Sequence, residues 1–146
     1  MKSVNWMLPQ TPVTPVEVER FETVSKVNLP EDFKSWLLRH NGSCPEPPRI
    51  DLDDGQGIYL NSFLSFSRQD KYNVFSMIET MSGRLPEGLV PIADDSGGNF
   101  VCFRYSSRTS QPEVVFWDHE EADPKLATRL IAASFSEFVS KLRGED

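Results

Sequence analysis

Few residues in this chain have the type and spacing to do chemistry. Asp95-Ser96-Gly97-Gly98 puts a hydroxyl between an acid and two glycines. A serine nucleophile needs a base within reach and a buried carboxylate that orients the base. Here the preceding residue is Asp94, and 146 residues are too few for the two β-barrels of a serine protease. A hairpin turn that uses Gly97 and Gly98 at positive φ accounts for the same residues. Asp51-Leu52-Asp53-Asp54-Gly55 invites a calcium loop, but an EF-hand wants Gly at the sixth position and Glu at the twelfth. Those places hold Gln56 and Ser62, so an acidic turn is expected. His40 and His119 are the only histidines. His119, beside Asp118, Glu120 and Glu121, could join a weak metal site, though an exposed histidine in an acidic turn is the ordinary reading. His40 falls at a helix end, where its charge is favourable. Cys44 and Cys102 do not form a zinc pair, and no glycine-rich phosphate loop is present. The expectation is a protein without catalytic residues, cofactor or metal.

The charge balance points to a class of partner. Lys and Arg number 15 against 22 Asp and Glu, a net charge of -7. Such a chain repels phosphate backbones and anionic membranes, so a nucleic-acid or membrane partner is not expected. Complementary fields speed the meeting with a basic protein. The same acidity also serves solubility alone. Met1 to Trp6 lacks the apolar stretch of a signal peptide. No segment reaches the roughly 20 apolar residues that span a bilayer. A cytoplasmic protein is the expectation.

These residues need elements to position them. The length suits one domain, 1–146, with 1–13 as an extended arm. Thr14-Pro15-Val16-Glu17 is a capping box that opens a helix with Val18, Phe21 and Val24 on one side, fading near Asn28. Pro30 opens a second helix whose Phe33, Trp36, Leu37 and His40 share a face. Asn41-Gly42 ends it, both residues tolerating the left-handed conformation. Residues 44–48 hold three prolines and read as loop. Short strands are expected at 50–52 and 58–60, and residues 61–66 are ambiguous. A helix follows over 73–81, broken at Leu85-Pro86-Glu87-Gly88. Strands at 89–93, 99–105 and 113–117 are joined by short turn-rich links, the mark of an antiparallel meander. Ser134-Phe135-Ser136-Glu137 caps a last helix with Phe135, Phe138, Val139 and Leu142 on one face. The predicted class is α+β: an antiparallel sheet packed against N-terminal and C-terminal helices. Its core is expected at Phe21, Phe33, Trp36, Leu37, Val101, Phe103, Phe116, Phe135 and Phe138.

In a meander the first and third strands run the same way. Asp94 and Asp95 follow the first; Asp118, Glu120, Glu121 and Asp123 follow the third. Both clusters then emerge at one end of the sheet, where like charges repel modestly. Two explanations stay open. The surface docks cations of a partner through Asp94, Asp95, Asp118, Glu120 and Glu121. Or Asp94-Asp95 serves the turn and Asp123-Pro124 caps a short helix.

Four segments together carry a resemblance. Leu29-Pro30-Glu31-Asp32-Phe33-Lys34-Ser35-Trp36-Leu37-Leu38-Arg39-His40-Asn41-Gly42 resembles the early helix motif of the SUKH superfamily. Gly88 to Ala93 followed by Gly97-Gly98-Asn99 is similar to its central segment. Val114 to Glu120 is similar to its next strand, and Ala133 to Val139 to its closing helix. One departure is Asn99, where many members place an acid after the turn glycine. The resemblance implies an α+β fold and protein binding rather than catalysis. It implies a bacterial immunity protein that neutralises a cognate toxin, a basic domain such as a nuclease. The other function it leaves open is a regulatory or scaffold module for a signalling partner. The absence of long flanks favours the compact bacterial type.

Overall fold

The computed structural model describes residues 3–144. Its core is an antiparallel five-stranded sheet in chain order: β5 (Ser62–Phe63), β6 (Leu89–Asp94), β7 (Phe100–Arg104), β8 (Glu113–Trp117) and β9 (Thr128–Ala132). Two small antiparallel strand pairs accompany it. β1 (Asn5–Met7) pairs with β2 (Cys44–Glu46), and β3 (Arg49–Asp51) pairs with β4 (Gly57–Tyr59). The helices are α1 (Pro15–Ser25), α2 (Glu31–His40), α3 (Val74–Thr80), α4 (Pro124–Ala127) and α5 (Phe135–Ser140). The fold is α+β.

Strand alternation divides the apolar residues between the two faces of the sheet. Val90, Val101, Phe103, Val114 and Phe116 join the main core with Phe21, Phe33, Leu37, Phe63, Phe135 and Phe138 from the helices and β5. On the opposite face, Phe100, Cys102, Val115 and Trp117 form a smaller cluster with Met81, Leu89 and Ala127. Phe33 is central: its ring lies 5.0 Å from both Phe103 and Phe135 in edge-on contacts. Edge-on rings gain quadrupole attraction beyond the area they bury. All nine residues expected in the core are buried.

Local chemistry sets the helix ends. Thr14 accepts from the Glu17 amide, and Glu17 accepts from the Thr14 amide, so the capping box forms. Ser134 accepts from the Glu137 amide, but the Glu137 carboxylate pairs with Lys141. Asp32 accepts from the Ser136 amide and hydroxyl, which ties α2 to the start of α5.

Several expectations are corrected. Val24 is 59% exposed, because α1 buries only the narrow stripe of Val18 and Phe21. Pro30 is the residue before α2, not its first helical residue. Asn5–Met7 of the N-terminal arm and the proline-rich stretch at 44–46 are paired strands; each supplies what the other lacks in ladder partners. Met1 and Lys2, the start of the expected arm, lie outside the described residues. Asn41 is not left-handed: its φ is -47°, and Gly42 takes the positive φ of 70°. Asn41 instead spends its amide inside the protein. It donates to the Thr11 carbonyl and Ser65 Oγ and accepts from the Phe66 amide. In the 95–98 turn the positive φ falls on Ser96 and Gly98, not on Gly97.

Candidate functional site at the acidic end of the sheet

The strand registers place the expected clusters at one end. Ser62 lies opposite Asp94, Asp94 opposite Phe100, Phe100 opposite Trp117 and Trp117 opposite Thr128. This row closes the sheet. The Asp95–Asn99 turn and the loop 118–123 project beyond it, side by side.

A single asparagine joins the two loops. Asp95 Oδ1 accepts from the amides of Gly97 and Asn99, at 2.8 and 3.1 Å. Asp95 Oδ2 accepts from Asn99 Nδ2 at 2.8 Å. That contact fixes the Asn99 amide with its oxygen toward the other loop. Asn99 Oδ1 then receives the His119 amide at 3.0 Å and lies 2.6 Å from His119 Nδ1. Facing an oxygen acceptor, Nδ1 must carry the proton, so Nε2 is the nitrogen turned outward. Nε2 sits 3.9 Å from the Glu120 carboxylate. The imidazole also lies against Gly98, where an added Cβ would come within 2.9 Å of Cε1. A glycine is needed there for the approach as well as for its φ of 94°.

The five expected contact residues do not share one environment. Asp94 is 9% exposed and accepts from the Ser62 amide and Asn61 Nδ2. The Tyr72 hydroxyl titrates above its ordinary range through burial first and then the nearby Asp94 charge. Asp94 is therefore an internal carboxylate, and Asp95 is the staple of its own turn. Asp118 holds the Glu120 amide at 2.9 Å and is half-buried. Glu120 and Glu121 are exposed; the Glu120 side chain is 81% accessible. Asp123 caps α4 by accepting from the Lys125 amide. Asp95 and Asp123 serve turn and cap, while Asp118, Glu120 and Glu121 make no ion pair with Lys or Arg among the described residues.

Two clefts flank Asp118. One, of 220 Å³, lies beside Tyr59, Asp95, Asn99 and Phe116. The other, of 340 Å³, lies between the 81–86 turn and the 118–124 loop, with Trp117 and Pro86 in its wall.

The other chemical candidates have structural partners. Asp53 and Asp54 face Arg129, at 3.5 and 2.6 Å, as an acidic turn with an internal cation. Among the described residues no three His, Cys, Asp or Glu gather in a metal-holding group. His119 is partly buried and clamped rather than freely exposed. His40 does not gain from its helix end as expected. Burial, and then the Arg39 charge, lower its proton affinity, and its ring lies 5.9 Å from Trp6 and 6.1 Å from Trp36. The residues that sequence reasoning missed are Asn99, as the bracket, and Arg84 and Trp117, as cleft walls. The only sequence signal for Asn99 was its place directly after the turn glycine.

The chain is similar in sequence to known proteins. A protein of Bacillus subtilis (strain 168), described as SPbeta prophage-derived uncharacterized protein YokK, is 31% identical over 135 residues. The match covers 80% of this chain and 68% of that protein. The model of the SMI1 / KNR4 family (SUKH-1) matches residues 12–141. With that match running from the first helix through the last, the chain belongs to the SMI1 / KNR4 family (SUKH-1).

Proposed function

We propose that this chain is a non-catalytic protein-binding domain that neutralises a cognate bacterial toxin, and that its acidic end meets a basic surface of that toxin. The observation that carries the reading is the trio Asp118, Glu120 and Glu121. These carboxylates stand beyond the end of the sheet on a bracketed loop, without Lys or Arg partners among the described residues. A fixed cluster of uncompensated charge steers encounter with an opposite charge. Membership of a family that includes toxin-immunity proteins supports it. So does the likeness to a prophage-derived protein. Among the described residues no helix is long and apolar enough to cross a membrane.

The test is co-expression with the product of the neighbouring gene. Rescue of growth and a purified complex are expected. Glu120→Gln with Glu121→Gln should slow association at low salt and have little effect near 1 M salt, where the Debye length is about 3 Å. A neighbouring product that forms no complex with this chain would overturn the reading, as would an association rate indifferent to both substitutions.

A further inference from the structure

The 340 Å³ cleft beside the acidic loop combines three features that specify its occupant. The first is a pair of carboxylates. Asp118 and Glu121 line it on the side of the 118–124 loop, and neither pairs with a cation among the described residues. The second is an indole donor. Trp117 is 5% exposed and lines this cleft, yet no hydrogen bond engages its Nε1 among the described residues. The side-chain polar atoms that are both sealed and unpartnered are Trp36 Nε1 and Ser43 Oγ. Trp117 Nε1 is not sealed with them, and the residue stands in the wall of this cleft. The third is Arg84 on the opposite rim. Its Nη1 rests 3.9 Å from the Met81 sulfur, and it meets no carboxylate among the described residues.

The cleft therefore offers acceptors on one side and donors on the other. A lone cation would leave the donors unmatched, and a lone anion would be repelled by the carboxylates. One residue supplies both needs: an arginine or lysine within a polypeptide, with a charged end and a main-chain carbonyl. We propose that the cleft takes a single basic residue of the protein partner. Its cation lies between Asp118 and Glu121, and its carbonyl accepts from Trp117 Nε1 and Arg84. Pro86 and Pro124 flank the aliphatic stem. The volume is near the lower end for ligand pockets, which suits one side chain and not a helix. The Asn99 bracket holds the acidic wall in place before binding, so less ordering entropy is lost on association. The inference rests on the protein-binding reading above and names the chemistry of its central contact.

The experiment needs no knowledge of the partner. Nα-acetyl-arginine N-methylamide is titrated into the whole chain at constant ionic strength while the Trp117 indole N–H resonance is followed by NMR. A saturable shift with Kd of order 10 mM is expected. The citrulline analogue, which keeps the carbonyl and the shape but lacks the charge, should bind about two- to fivefold more weakly. Glu121→Gln, an exposed change that leaves the core intact, should weaken the arginine probe by a similar factor and leave the citrulline probe unchanged. A shift that does not saturate overturns the inference, as do equal affinities for the two probes or arginine binding indifferent to Glu121→Gln. Each of those results leaves the protein-binding reading standing, because a partner could still dock elsewhere on the acidic end.

Discussion

Asn99→Ala tests whether the two loops at the acidic end are held by one side chain. The substitution removes three contacts: Asn99 Nδ2 to Asp95, and the His119 amide and Nδ1 to Asn99 Oδ1. A neutral hydrogen bond contributes about 1 kcal/mol net, and one to a charged acceptor about 2 kcal/mol. The sum is about 4 kcal/mol. Water can reach these half-buried loops and replace part of it, so we expect a loss of about 2 kcal/mol. With a urea slope of about 1–3 kcal/mol per M, the midpoint should fall by about 1 M. Equilibrium urea unfolding measures that, and hydrogen exchange of the His119 amide reports the loop directly. Asn99→Asp should do no better than Ala. It loses the Nδ2 donor and sets a second carboxylate against Asp95. A loss under about 0.5 kcal/mol, within the range of neutral surface changes, would refute the bracket. So would unchanged protection at His119.

Three further outcomes follow from the packing. Trp36→Ala should cost about 3–5 kcal/mol in thermal or urea unfolding, because the ring is 7% exposed and lies 4.6 Å from Phe63 and 5.6 Å from Phe33. Trp36→Phe should cost much less, since the buried Nε1 has no hydrogen bond to lose. Gly98→Ala should lower stability by about 1–3 kcal/mol and displace the His119 ring, which NMR of the imidazole would show, because it combines a φ of 94° with a 2.9 Å approach. His40 takes up a proton less readily in the folded chain than its ordinary value of 6.5, through burial and then Arg39. Below that value the unfolded state binds more protons, so stability falls as the pH drops through 6.5, and the loss is complete below the depressed native value. His40→Gln should flatten this part of the pH profile of unfolding.

Periodicity made the helices and the meander legible. Phe33, Trp36 and Leu37 recur at helical spacing, and the runs at 89–93 and 113–117 are too apolar and short for anything but strands. What the sequence hid were elements without a period of their own. β5 has two residues, and β9 alternates weakly because Leu130 is exposed while Ile131 and Ala132 are buried. β2 contains a proline, which removes an amide from the ladder and argues against a strand unless it lies at an edge. Its pairing with Asn5–Met7 depends on a contact some 40 residues away in the chain, which no local pattern encodes. Asn41 shows the same limit from the other side. Its position after a helix reads as a cap, while its use is set by Thr11, Ser65 and Phe66.

The acidic end shows why direction is easier to read than role. Strand direction alone brings Asp94-Asp95 and Asp118 to Asp123 together, because in a meander every second strand points the same way. It does not say where each carboxylate turns. Asp94 sits in the closing row of the sheet, opposite Ser62, and is covered. Asp95 satisfies three donors within its own turn. These two carboxylates hold the sheet end and its turn together, so neutralising either one unsettles the fold. Asn substitutions at Asp94 and Asp95 would therefore confuse binding with stability, contrary to what their turn position alone implies. Glu120 and Glu121 are exposed, and their loop is fixed mainly through Asn99 and Asp118; Glu121 adds one long hydrogen bond from the Asp123 amide, at 3.3 Å. On the proposed reading, position falls to the buried half of the acidic cluster and partner contact to the exposed half. Gln at positions 120 and 121, which removes the charge and keeps an acceptor for the Asp123 amide, is accordingly the change that can alter association without altering the protein that associates.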